Sequence, residues 1–249
     1  MRRSAGRVGR ALLAATALAM AIAALLLIWP QLVSSAAYDR ARDLATVDGA
    51  PDLSAVSSLN PDTVAWLEVE GTPIDHPVVQ PSGGTPRDWY LSHAYDGAPS
   101  VMGTPYLDAR ARADGALLVA YAHNDPLGGL FHAVACADGA RGLGEIGAAK
   151  WTTARGATEF RPLFTIKVDR AYAKIQRFEV TADGVPALLE ELSGDAVVTR
   201  EGWEDEALGA DRILALSTCS NGLDGGATRT ICVFAAEGDA AARDDGVDG

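Results

Sequence analysis

At 249 residues, 48% hydrophobic and 22% charged, with 12 Pro, 26 Gly and 6% aromatic residues, the chain has the composition of a folded protein with one sizeable core, which excludes wholesale disorder and a collagen-like repeat. Its 21 basic residues against 33 acidic ones give a net charge of -12, which repels a phosphate backbone, so no nucleic-acid partner is expected. Three cysteines, Cys136, Cys219 and Cys232, form no C-x-x-C pair and are too few for a disulfide framework, so a free thiol is expected and no metal or cofactor is.

The first thirty residues form a separate object. Arg2, Arg3, Arg7 and Arg10 in a basic segment 1–10 precede an uncharged apolar run over 11–29. At about 1.5 Å per residue that run makes a helix close to the roughly 30 Å hydrocarbon core of a bilayer, so it is expected to span as one N-terminal transmembrane signal-anchor. The four arginines place the N-terminus in the cytoplasm and the body outside, which makes the chain a single-pass membrane protein. A cleaved signal peptide is the alternative, with small residues Ser34 to Ala37 as its cleavage site, although the apolar run is longer than such segments usually have.

Residues 30–59 then read as an extracellular stalk with a short helical stretch broken at Gly49 and Pro51, acting as a tether and lid. From Asn60 the texture turns to short β-rich runs: Val64–Val69, Ile74–Val79, Ala116–Tyr121, Leu163–Val168, Ala171–Val180, Ile213–Ser217 and Thr230–Ala235. Helical patterns are fewer, over Arg87–Ser92, Leu127–Ala137 and Val185–Leu192. The last places Val185, Leu188, Leu189 and Leu192 on one face. The pattern predicts a mainly β body over 60–236, a barrel or a sandwich, with peripheral helices. The acidic stretch Glu201–Glu206 lacks calcium-loop spacing and reads as a solvated face, and the acidic tail 237–249 is expected to be disordered.

Chemistry concentrates near the C-terminus. The apolar run Ile213–Ser217 leads into Thr218-Cys219, a polar loop follows over 220–228, and Arg229 opens the next strand. If the two strands pair, thiol and guanidinium stand side by side, and the cation favours the nucleophilic thiolate or binds an oxyanion. An isolated cysteine at a strand end is otherwise a small buried hydrophobe, the reading preferred for Cys232 on the opposite strand face. Of the four histidines, His123 closes the apolar run 116–122 at an equivalent strand end and is the candidate general acid and base, the alternative being a merely hydrogen-bonded terminus. His76 reads as a structural turn residue, His132 as a packing position, and His93 as either; no H-E-x-x-H pair is present.

Taken together, these residues resemble the class B sortases, membrane-anchored cysteine transpeptidases of Gram-positive bacteria. The resemblance is carried by Leu216-Ser-Thr-Cys-Ser220 with Arg229 ten residues beyond the cysteine, and by Tyr121-Ala-His-Asn124, where the family usually has Tyr-Gly-His. It is supported by Asp88-Trp-Tyr-Leu-Ser-His93, Tyr95-Asp-Gly97, Gly103-Thr-Pro-Tyr-Leu-Asp108 and Gly129-Leu-Phe-His132.

The resemblance implies a closed β-barrel of about eight strands with peripheral helices. It also implies thiol-protease chemistry in which Cys219 attacks the threonine carbonyl of a C-terminal sorting signal on a secreted protein. His123 serves as general acid and base, Arg229 steadies the substrate or its oxyanion, and the backbone N–H of Ser220 is a second candidate oxyanion donor. The thioester then passes to the amine of a lipid-linked peptidoglycan precursor, with no cofactor required. A sortase that polymerises pilins through a lysine amine, a simple cysteine peptidase, and a catalytically silent membrane-tethered binding module stay open as alternatives.

Overall fold

The computed structural model describes residues 13–22, 25, 38–44, 46–47, 50–125, 127–220 and 226–237. The expected segment 1–10 lies outside the described residues, as do parts of the 11–29 and 30–59 segments and all but the first residue of the acidic tail. Residues 13–22 are helical and their side chains are exposed, Leu13, Leu18, Met20 and Ile22 among them. Among the described residues no helix is long and apolar enough to cross a membrane.

The segment expected as a stalk packs onto the body. Residues 38–44 are helical, and Thr46–Val47 pairs antiparallel with Ala50–Pro51 before helix α1 (Leu53–Ser57). Asp52 caps α1 by accepting from the Ser54 and Ala55 N–H groups. Tyr38, Ala41, Leu53 and Val56 are buried, Tyr38 Oη donates to Gly103 O (2.9 Å), and Arg42 Nε pairs with Asp75 (2.8 Å).

The strands are β1 (Thr63–Val69), β2 (Asp75–Val79), β3 (Tyr106–Leu107), β4 (Leu117–Tyr121), β5 (Ala149–Thr153), β6 (Gly156–Asp169), β7 (Ala196–Thr199), β8 (Arg212–Cys219) and β9 (Thr228–Ala236). In space they run β9-β8-β4-β3-β2-β1-β5-β6, and a β6–β9 pairing closes the circuit into an eight-stranded barrel with β7 added on β6. The pairs β4–β8 and β2–β3 are parallel and the others antiparallel. The barrel therefore agrees with the sequence expectation.

Two-residue alternation along β4, β8 and β9 builds two cores at once. Leu118, Ala120, Leu214, Leu216, Cys232 and Phe234 fill the barrel, whereas Leu117, Val119, Ile213, Ala215, Ile231 and Val233 form a second layer. That layer is covered by helix α4 (Val185–Ser193), whose Val185, Leu188, Leu189 and Leu192 are buried as the spacing predicts. Helices α2 (His132–Ala135), α3 (Ala140–Glu145) and α5 (Trp203–Gly209) complete the periphery. Glu204, Asp205 and Glu206 of the acidic stretch fall in the first turn of α5, where the helix dipole favours them.

Four expectations change. The strand over Ala171–Val180 is a run of turns, with Tyr172 N–H donating to Asp169 O and Gln176 N–H to Ala173 O. β6 already has β9 on one edge and β5 and β7 on the other, which leaves no edge for it. The helix over Leu127–Ala137 shrinks to His132–Ala135, because Gly128 and Leu130 both have positive φ (93° and 46°). Arg87–Ser92 holds only one 3-10 turn, Trp89–Leu91. His76 lies inside β2 and is buried, where an isolated Asp-His-Pro had suggested a turn.

Candidate active site

β8 and β9 pair through eight consecutive residues without a shift, and the last pair sets Cys219 opposite Arg229. Directly opposed residues of an antiparallel pair share a face, so the register alone brings thiol and guanidinium together. Gly226 has φ +77°, and the point a Cβ would occupy there lies 3.6 Å from Cys219 Sγ and 4.0 Å from Arg229 Nη1. Both groups therefore lie within contact distance of the space beside the Gly226 backbone. Arg229 Nη1 donates to Gly226 O (2.7 Å) and Thr228 O (3.2 Å), which fixes the plane of the guanidinium. Cys219 is partly exposed, at the rim of the sheet.

The histidine arrives from the other neighbour of β8. β4 runs parallel to β8 with Tyr121 in register with Ser217. Beyond that pair, Ala122 N–H donates to Ser217 O (3.3 Å) and Thr218 Oγ1 donates to Ala122 O (2.9 Å). His123 and Cys219 each follow this double tie by one residue, so they leave adjacent strand ends on the same side of the barrel. The partly exposed His123 ring is oriented by Leu91 O, 2.8 Å from Nε2. A carbonyl only accepts, so Nε2 is the donor in this bond and Nδ1 is the ring nitrogen left facing away from it. Gly103, at φ +61°, passes so close to the Tyr90 and Leu91 carbonyls that a Cβ there would collide with both oxygens.

Two tyrosines stand behind the strand ends. Tyr106 and Tyr121 face each other across β3 and β4 with ring centroids 5.4 Å apart. Burial pushes the Tyr106 hydroxyl far above its ordinary range, Asp108 and Asp88 add to this, and the Arg229 charge opposes it, which places Arg229 within electrostatic reach of the ring. Asp108 accepts from Tyr121 Oη (3.3 Å) and from Arg110 through both of its oxygens. Burial raises the Asp108 carboxyl, yet the Arg110 hydrogen bonds outweigh it and hold the group below the usual carboxylate range.

The structure brings Cys219, His123 and Arg229 to one end of three neighbouring strands. Ser220 is different: its N–H donates to Thr228 O (3.2 Å) in the ladder, and its Oγ accepts from Thr230 Oγ1 (2.9 Å). The backbone donor expected there is committed to the sheet. Cys232 is fully buried, in keeping with a packing role, and His93 stacks on Trp89 with centroids 3.5 Å apart. His132 is no simple packing residue, since its Nδ1 lies 2.8 Å from Asn124 Oδ1. Sequence reasoning missed Gly226 and the Leu91 carbonyl; the Gly225-Gly226 pair is the only written trace of the former. Among the described residues no group of three or more His, Cys, Asp or Glu side chains is placed to hold a metal ion.

No family model matches the sequence, and no curated protein sequence matches it. Solved structures do match. Sortase B of Clostridium perfringens is 25% identical and aligns over 76% of this chain and all of its own, with a TM-score of 0.61. A Staphylococcus aureus sortase B–substrate complex aligns at 17% identity over 73% of this chain and 82% of its own, with a TM-score of 0.61. A class B sortase of Streptococcus pyogenes involved in pilus biogenesis aligns at 21% identity over 75% and 98%, with a TM-score of 0.59.

Proposed function

We propose that this chain, which has the fold of the class B sortases, is a cysteine transpeptidase with Cys219 as nucleophile, His123 as general acid and base, and Arg229 as the group that steadies the substrate oxyanion. The observation that carries this reading is the register pair Cys219–Arg229 beside the parallel strand that delivers His123. The Cys219 thiol gives its proton to His123, the sulfur attacks a threonine carbonyl in a sorting signal, and the carbonyl π electrons move to oxygen. The resulting oxyanion meets the guanidinium, whose plane the Gly226 and Thr228 carbonyls hold. On collapse the C–N bond breaks, a protonated His123 gives the leaving amine its proton, and a thioester remains. An incoming amine loses a proton to His123 as it attacks, and the thiolate departs.

The acceptor in this reading is the amine of a lipid-linked peptidoglycan precursor. The pilus-associated Streptococcus pyogenes structure favours a second acceptor, a lysine amine of a pilin subunit. The exposed apolar helix over 13–22 and the absence of Asp, Glu, Lys and Arg from 11–29 support an N-terminal anchor, with residues from about 31 onward outside the cell. The test is mass spectrometry of products formed from a panel of sorting-signal peptides and added amines. A peptide–amine conjugate that requires Cys219 is expected, and water-only hydrolysis or no cleavage across the panel would overturn the transpeptidase reading.

A further inference from the structure

Apart from the strand-end site, the chain carries another thiol–imidazole pair, and it is independent of the reading above. His132 opens α2 and Cys136 follows its last residue, four positions on, so both side chains lie on one face. Cys136 Sγ is 3.5 Å from His132 Nε2. The other ring nitrogen, Nδ1, is 2.8 Å from Asn124 Oδ1. An amide oxygen only accepts, so Nδ1 carries the proton and Nε2 is left as the ring's acceptor, facing the thiol.

The surroundings hold this arrangement in place. Cys136 N–H donates to His132 O (3.1 Å), and α3 packs so closely that a Cβ on Gly142 would have no room beside the Cys136 carbonyl. Cys136 itself is exposed. Asp138, two residues on, is paired with Lys167 (2.8 Å), so its charge is balanced. Cys232 makes the contrast, since burial pushes its thiol up to about 12 and closes it to solutes.

We propose that Asn124, His132 and Cys136 form a second reactive-thiol site, one that takes up small disulfides by exchange. Nucleophile, base and orienting group occur in the order that an activated nucleophile requires. In the exchange step His132 Nε2 takes the thiol proton and the Cys136 sulfur attacks one sulfur of the disulfide. A new S–S bond forms as the old one breaks, and the departing thiolate takes the proton from the imidazolium, so the incoming disulfide is the oxidant. The site shares its loop with the strand-end histidine, because Asn124 follows His123 directly and Phe131 N–H donates to His123 O (3.2 Å). A mixed disulfide at Cys136 therefore forms on the segment that carries His123.

The experiment uses the full chain in detergent with Cys219→Ala, exposed to 2-hydroxyethyl disulfide, a neutral probe with no titratable group. Adducts are followed by intact mass and peptide mapping between pH 5 and 9. One adduct is expected, on Cys136. Adding His132→Gln should slow its formation about tenfold or more at pH 6.5, where an unassisted thiol with a pKa near 8.5 is only about 1% ionised. At pH 9, where a thiol ionises unaided, the difference should fall below about threefold. Should His132→Gln not fold, the pH profile of the Cys219→Ala chain decides. A rate held within about threefold from pH 8 to 6.5 supports the site, and a fall of about tenfold per pH unit overturns it. Equal rates with and without His132 at pH 6.5, or adducts on another residue, also overturn it.

Discussion

Replacing Gly103 with alanine tests whether a backbone carbonyl positions the His123 ring. Gly103 has φ +61°, where an L side chain costs roughly 1–2 kcal/mol, and a Cβ there would meet Leu91 O at 2.8 Å and Tyr90 O closer still. Ordinary contact begins at 3.4 Å, so the Leu91 carbonyl must retreat by about half an ångström, an overpacking cost of roughly 1–3 kcal/mol. A displacement of that size disturbs the 2.8 Å bond from His123 Nε2 to the same oxygen and is expected to weaken it. A shift of this size at a catalytic group is expected to lower acyl transfer by about 10- to 100-fold. Urea denaturation gives the stability loss, and steady-state transfer, measured where both proteins are fully folded, gives the rate. Gly202→Ala is the matched control: φ is +77° there but a Cβ would meet nothing within 4 Å, so it keeps the strain without the collision. It should lose stability and keep turnover. A folded Gly103→Ala protein with wild-type turnover would refute the claim that Leu91 O positions the imidazole.

Cys219→Ala should abolish transfer without unfolding the chain, whereas Cys232→Ala should cost stability in the barrel and leave turnover; peptide-cleavage assays beside melting curves read both. Arg229→Lys should slow transfer by roughly 10²- to 10³-fold with little change in thermal midpoint, because an ammonium cannot reproduce a planar fork of donors. Near-wild-type rates would reduce Arg229 to a structural residue. Burial, with the Arg42 charge adding and Asp75 opposing, lowers His76 to about 4. Below about pH 6.5 the unfolded chain binds a proton that the folded one refuses, so stability should fall by about 3 kcal/mol between pH 6.5 and 4. Urea titrations should show His76→Leu lacking that slope. Protease added to intact protoplasts should digest the body and leave a short stub; a protected body would reverse the proposed orientation.

The catalytic candidates were legible because each sits at an end of an apolar alternating run, His123 and Cys219 where one stops and Arg229 where one starts, and the runs themselves encode both barrel layers. Strand pairing was not written in the same way. The bond from Thr218 to Ala122 joins residues 96 positions apart, and only the closed barrel sets that distance. β3, β5 and β7 were missed because strands of two, five and four residues carry too little alternation to read. Ala171–Val180 has strand-like composition, but its Tyr172 and Lys174 side chains bond to Asp195 and its backbone folds into turns. The commitment of the Ser220 N–H to Thr228, and the carbonyl that orients His123, are backbone facts that no residue type announces.

The parallel β4–β8 pairing has a consequence for when the protein becomes reactive. Unlike the β8–β9 hairpin, which can form from neighbouring sequence, the β4–β8 ladder must close a loop of nearly a hundred residues, and such long-range contacts form slowly. During folding, then, Cys219 is expected to meet Arg229 early and His123 only when the barrel shuts. If His123 is the proton donor, chain closure is the step that brings it to the thiol.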